Sequence, residues 1–62
     1  MTPEEFNNLA KEKQKFLLCD ADKIAENNNE LFKEEFFKIE NLIVQVRINY
    51  RDRFRRQIRA YA

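Results

Sequence analysis

From Leu42 to Tyr50 the chain alternates between two kinds of side chain. Leu42, Val44, Val46, Ile48 and Tyr50 share one parity, while Gln45, Arg47, Asn49 and then Arg51 follow the other. A period of two over that length puts one face in an interior and the other in water, the pattern of a half-buried β-strand. Ile43, Val44, Val46 and Ile48 are β-branched, which fits a pleated surface and costs rotamer freedom in a helix. The pattern predicts the central strand of a small sheet.

Upstream the period changes. Thr2-Pro3-Glu4-Glu5 reads as a helix start: Thr2 as N-cap, Pro3 at the first helical position, Glu5 completing a capping box. Phe6, Leu9, Ala10, Phe16 and Leu17 then form one stripe, interrupted by Lys13, with Asn8, Lys11, Glu12, Gln14 and Lys15 facing out. This spacing predicts one helix over about 3–18. Asp20 to Glu26 either continues it or forms a short first strand. Asn27-Asn28-Asn29 then serves as a hairpin turn or, with Glu30, as the capping box of a second helix.

Residues 30–39 satisfy two periods at once. Phe32, Phe36, Ile39, Ile43, Val46, Tyr50 and Phe54 recur at gaps of four and three, so a helical hairpin, 3–26 against 30–61, competes with the sheet. The hairpin leaves Leu31, Phe37, Leu42, Val44 and Ile48 off its stripe, a large apolar exposure for so small a chain. With Glu40-Asn41 as a two-residue turn, Ile39 faces Leu42, Phe37 faces Val44, Leu31 faces Tyr50 and Glu34 meets Arg47 as an opposite-charge pair. That register places Lys33 and Glu35 on the apolar face, a conflict that a bulge would relieve. After Arg51, Tyr50, Phe54, Ile58 and Tyr61 suit a helix capped by Asn49. Phe54, Ile58 and Ala60 suit a fourth strand after a turn at Arg51–Arg53. The fold predicted is α+β, an N-terminal helix packed on a small antiparallel β-meander, in one domain spanning 1–62.

The order of these signals carries a resemblance. Phe6-Asn7-Asn8-Leu9, Gln14, Leu17-Leu18, Ile24-Ala25-Glu26, Phe37-Lys38-Ile39, Val44-Gln45-Val46, Asn49-Tyr50 and Ile58-Arg59-Ala60-Tyr61 resemble small uncharacterised proteins of Bacteroidetes and their mobile elements. The resemblance implies one N-terminal helix followed by a β-meander, with Ile58–Tyr61 as a strand. It implies no activity and no functional residues. This chain departs from the group in having no glycine at either turn.

Sixty-two residues bury only a modest core: a domain of this size hides about 60% of the surface its unfolded chain exposes. A homo-oligomer sharing core across an interface is one expected remedy. The single Cys19 has no partner for an internal disulfide, which suits a reducing, cytoplasmic location, and it reads as a small apolar residue. No leader is predicted, because Met1 runs directly into a helix cap. No apolar run approaches the ~18 residues of a membrane span.

Missing residue types narrow the chemistry. There is no His, Ser or Gly and only one Thr. Cys19 has no imidazole to activate it, no glycine loop can cradle phosphate, and no His or Cys set suggests zinc. Asp20-Ala21-Asp22 opens like a calcium loop, but Ile24 stands where the next ligand belongs. Glu34, Glu35 and Glu40 read as solvated carboxylates. The expectation is a non-enzymatic chain with no cofactor, no metal and no small-molecule substrate.

Charge distribution points to a partner. Residues 1–46 carry six Lys against ten acids, a net of −4; residues 47–62 carry six Arg against Asp52 alone, a net of +5. Arg47, Arg51, Arg53, Arg55, Arg56 and Arg59, interleaved with Tyr50 and Tyr61, are the candidate partner-binding residues. Arg and Tyr are common interface anchors, so a protein partner or self-association is the first reading. Nucleic acid is the alternative, through guanidinium–phosphate pairing and aromatic stacking on bases. On one strand Arg47, Arg51, Arg53, Arg55 and Arg59 would share a face. The plainest reading is that they pair with Glu30, Glu34 and Glu35 in the same chain, a surface network worth little energy.

Overall fold

The alternating stretch forms the strand it predicts. In the computed structural model, which describes residues 1–61, β3 (Leu42–Asn49) buries Leu42, Val44 and Val46 and leaves the intervening Ile43, Gln45 and Arg47 half-exposed. It lies between β2 (Phe32–Ile39) and β4 (Arg55–Tyr61), and β1 (Asp22–Asn28) flanks β2, giving one antiparallel meander in the order β1-β2-β3-β4. Two helices, α1 (Pro3–Asn7) and α2 (Lys11–Cys19), precede the sheet. The fold is α+β, and the helical hairpin is overturned. No described helix is long and apolar enough to cross a membrane.

The β2–β3 register follows the Glu40-Asn41 turn. Ile39 opposes Leu42, Phe37 opposes Val44 and Glu34 opposes Arg47, with no interruption back to Phe32 and Asn49. Beyond them Tyr50 N–H donates to the Leu31 carbonyl at 3.1 Å. The first turn is displaced from the asparagine triplet. Asn27 and Asn28 belong to β1, and Asn29, Glu30 and Leu31 turn the chain, Asn29 Oδ1 accepting from Leu31 N–H (2.7 Å) and Phe32 N–H (2.9 Å). The last segment is a strand, as the resemblance implies, but Phe54 sits in the preceding turn rather than in β4.

Lys33 and Glu35 do occupy the apolar face, and no bulge in the β2–β3 ladder relieves them. Their relief comes from β1. Lys23 bonds Glu26 at 2.8 Å and Glu35 at 3.0 Å, and Lys33 bonds Glu26 at 3.2 Å. A register shift between Lys23 and Ala25, at the exposed Ile24, re-aims the first of these side chains.

The N-terminal helix is corrected in two respects. It breaks after Asn7, and the second helix turns a different face inward. Thr2 and Glu5 form the capping box: Glu5 N–H donates to the Thr2 hydroxyl at 3.2 Å, and Thr2 N–H to the Glu5 carboxylate at 3.1 Å. The latter bond, with the hydroxyl's help, holds the Glu5 carboxyl below the usual carboxylate range. After one turn Asn7 is drawn to the sheet: Ala60 N–H donates to its Oδ1 at 2.8 Å and its Nδ2 donates to the Ala60 carbonyl at 3.3 Å. Ala10 is extended and α2 starts afresh. Its inward face is Gln14, Leu17 and Leu18, so Gln14 is 5% exposed while Phe16 is 69% exposed, the reverse of what one continuous stripe predicts.

Gln14 is buried because α1 ends early. Gln14 Nε2 donates at 2.9 Å to the Phe6 carbonyl, which the break strips of its i+4 helical partner. The core beneath comprises Phe6, Leu42, Val44 and Ala60, with Leu9, Leu17, Leu18, Ile39 and Ile58 around it.

Gln14→Leu keeps the volume and leaves that carbonyl the Leu9 N–H as its donor, at 3.1 Å. It should lower unfolding free energy by about 0.5–1.5 kcal/mol. Phe16→Gln, on the outer face of α2, should change it by less than about 0.5 kcal/mol. Urea denaturation of both variants reads the two faces directly; a larger loss for Phe16→Gln would show that the helix is phased as one stripe.

Candidate interaction surface

The helices cover part of one sheet face and none of the other. Strand parity assigns Phe32, Glu34 and Phe36 of β2, Ile43, Gln45 and Arg47 of β3, and Arg55, Gln57, Arg59 and Tyr61 of β4 to the open face. This face is polar by construction, because it has nothing to pack against. Gln45 links its neighbours, donating through Nε2 to a Glu34 carboxylate oxygen and accepting from the Tyr61 hydroxyl at 3.0 Å.

Arg47 lies at the centre of the open face. Its guanidinium carbon stands 3.9 Å from the centroid of the Phe32 ring, a cation–π contact that covers an otherwise wet aromatic. Its Nε is buried without a hydrogen-bond partner. The opposite-charge pair with Glu34 is not formed, although the two residues are register partners; Glu34 is taken by Gln45. On β4 the Arg59 guanidinium lies 5.5 Å from the Tyr61 ring centroid.

Of the eight residues singled out from the sequence, Arg47, Arg55, Arg59 and Tyr61 share the open face. Arg51 and Arg53 do not join them, since both lie in the exposed turn between β3 and β4, where strand parity no longer applies. Arg56 points to the helix side, paired across the ladder with Ile48. Tyr50 is anchored at the far end of the sheet: its hydroxyl donates to Asn28 Oδ1 at 2.7 Å, and its ring meets Phe54 edge-on at 5.8 Å between centroids.

Side-chain ion pairing among the described residues is confined to one cluster. Lys23 and Lys33 are held by Glu26 and Glu35, whereas no arginine and none of the other four lysines forms an ion pair. Intramolecular pairing to Glu30, Glu34 and Glu35 therefore does not account for the arginines. Five of the chain's cations, Lys11, Arg47, Arg55, Arg56 and Arg59, line a groove of about 620 Å³ along β4, and no carboxylate of the described residues lines it. Asn7, Lys11 and Gln14 form its helix-side bank. These three were invisible as site residues in the sequence because a continuous helix over 3–18 does not deliver Asn7 to a strand edge.

No family model matches the chain, and neither a curated protein nor a solved structure is detectably similar to it. The surface is therefore characterised by its own geometry. Among the described residues, no group of three or more His, Cys, Asp or Glu side chains is placed to hold a metal ion.

The lysine–glutamate cluster on the other face has a pH signature. Hydrogen bonds from Lys23 and then Lys33 hold the Glu26 carboxyl below its ordinary value, so its contribution is complete above the unfolded pKa and lost as pH falls through the lower folded one. Glu26 and then Glu35 hold Lys23 protonated above its ordinary range, so that contribution is complete below the unfolded pKa and lost as pH rises through the higher folded one. Lys23→Met should therefore lower the urea midpoint at neutral pH, with the gap closing in acid and again in strong alkali. A gap independent of pH would show that Lys23 acts by packing alone.

Proposed function

We propose that this chain is a non-catalytic interaction module that docks an acidic protein partner on the arginine-rich surface of β3 and β4. One observation carries the reading: among the described residues none of the six arginines has a carboxylate partner, and four of them line one groove along β4. A cluster of guanidinium groups close together repels itself unless anions are supplied from outside. Arg47, Arg55, Arg56 and Arg59, with Tyr61, supply planar donors and an aromatic ring, the side-chain types that dominate protein interfaces. Arg51 and Arg53, on the adjoining turn, extend the positive field toward an approaching partner. Lys11 adds a cation on the opposite bank. Cys19, exposed and unpaired, is compatible with a cytoplasmic setting.

A second reading, single-stranded nucleic acid, is favoured by one specific feature. Arg47 over Phe32 and Arg59 near Tyr61 place cations beside aromatic rings on an open sheet face, a surface on which bases can lie. The near-neutral balance of +1 and the glutamate among the open-face residues favour protein instead.

Fluorescence anisotropy with a labelled glutamate-rich peptide and with a labelled oligothymidylate, each at about 50 and about 200 mM salt, separates the readings. The peptide should bind the wild type. The double substitution Arg55→Glu with Arg56→Glu, at two exposed positions, should weaken it by more than about tenfold with an unchanged far-ultraviolet circular dichroism spectrum. Binding of the oligonucleotide alone, with a steep salt slope, would install the second reading. Binding of neither at the lower salt removes both.

A further inference from the structure

We infer that β4 is a docking edge, and that the acidic partner enters the groove as an extended segment, adding a fifth strand to the sheet. The inference rests on the proposed function and specifies how the partner is held. It starts from Asn7. Because both backbone groups of Ala60 bond the Asn7 side chain, they point away from β3, out of the edge of the sheet. Hydrogen-bonding direction alternates along an antiparallel strand, so the N–H and C=O of Arg56 and Ile58 point the same way. No described group bonds to them on that side. The amide of Asn7 thus occupies one position of a ladder whose next two rungs are open, making the donor–acceptor pair of bonds that an added strand makes.

The surroundings of those rungs select the occupant. Arg55 and Arg59 flank the edge on the open face, and Arg56 and Lys11 flank it on the helix side. Alternate side chains of an added strand point to opposite faces and meet cations on both. An acidic segment therefore satisfies charge whichever parity it takes. A polyphosphate backbone does not serve here, because it has no donors for the Arg56 and Ile58 carbonyls. A second copy is also a poor occupant. Its β4 edge would set arginine against arginine, and its β1 edge is interrupted at Ile24 and carries Lys23 and a Glu26 already held by two lysines.

The test uses the full chain and a synthetic peptide alternating glutamate and threonine, with a second peptide N-methylated at every backbone nitrogen. The first should slow amide hydrogen exchange at Arg56 and Ile58 at least about tenfold while leaving Gln57, whose N–H faces β3, unchanged. The methylated peptide, with no backbone donor on either edge, should bind at least about tenfold more weakly. Equal binding of the two peptides, or binding without protection of Arg56 and Ile58, overturns strand addition and leaves the acidic-partner reading intact. If neither peptide binds at low salt, both fall, and oligothymidylate binding in the same experiment assigns the surface to nucleic acid. Light scattering that shows peptide-free dimers with Arg56 and Ile58 already protected gives the edge to a second copy and overturns the inference.

Discussion

A sheet of four strands has two faces, and this chain has apolar cover for part of one. Most other features are consequences of that shortage. Phe6, Leu9, Leu17 and Leu18 cover the end of the sheet where Ile39, Leu42, Val44 and Ala60 converge, and there the burial is nearly complete. Toward the other end the same face is left to Lys23, Glu26, Lys33 and Glu35, which neutralise one another in place of a hydrophobic roof. The opposite face has no roof at all. Its aromatics are sheltered by the side chains beside them: Arg47 lies over Phe32, and Gln45 ties Tyr61 toward Glu34. A small domain with so little core depends on its few fully buried groups. Phe6, Leu42 and Val44 are those groups.

The absence of glycine adds a second cost. Tight reversals need left-handed backbone, which glycine adopts freely and other residues resist. Here Glu40 takes φ 54°, and Arg53 and Phe54 take φ 52° and 58° in succession. Each such residue costs of order 1–3 kcal/mol unless its surroundings fix it. The β3–β4 turn is secured at both ends. Arg55 N–H donates to the Asp52 carbonyl at 2.9 Å, and Phe54 packs edge-on against Tyr50, itself tied to Asn28. Tyr50 is thereby a structural residue of the turn. Its place among the site residues read from the sequence came from its proximity to Arg47 and Arg51 along the chain, not in space.

Legibility divides along the range of the interactions. The β3 parity and the register across Glu40-Asn41 are local: a period of two and a two-residue turn fix them, and the charges at Lys33 and Glu35 did not shift the pairing. What was not legible came from contacts distant in sequence. The single helix over 3–18 failed because the Asn7 amide bonds Ala60, fifty-three positions away, and nothing in the local spacing of Phe6, Leu9 and Ala10 announces that bond. Gln14 and Phe16 then exchanged places, since a restarted helix inherits no phase from the one before it. The Glu34–Arg47 ion pair failed for a different reason. The register was right, but a half-buried guanidinium on an aromatic ring and a carboxylate held by Gln45 are alternatives that the charge pattern cannot rank. The arginines fared likewise: their segment was visible as a block, but which face each took depended on where the turn released the chain into β4.

That partition of lysine and arginine follows from the same shortage of cover. An ammonium on a flexible stem can reach between strands to two carboxylates, as Lys23 does to Glu26 and Glu35, and so fill an uncovered patch from within. A guanidinium is planar and weakly hydrated, and can cover an aromatic ring without losing its charge, as Arg47 does over Phe32. Used in this way, Lys23 and Lys33 engage Glu26 and Glu35, while Arg47 covers part of the open face and keeps its charge available. The positive charge along β4 is left uncompensated because the carboxylates that pair with side-chain cations, Glu26 and Glu35, stand on β1 and β2, on the helix side of the sheet and away from β4.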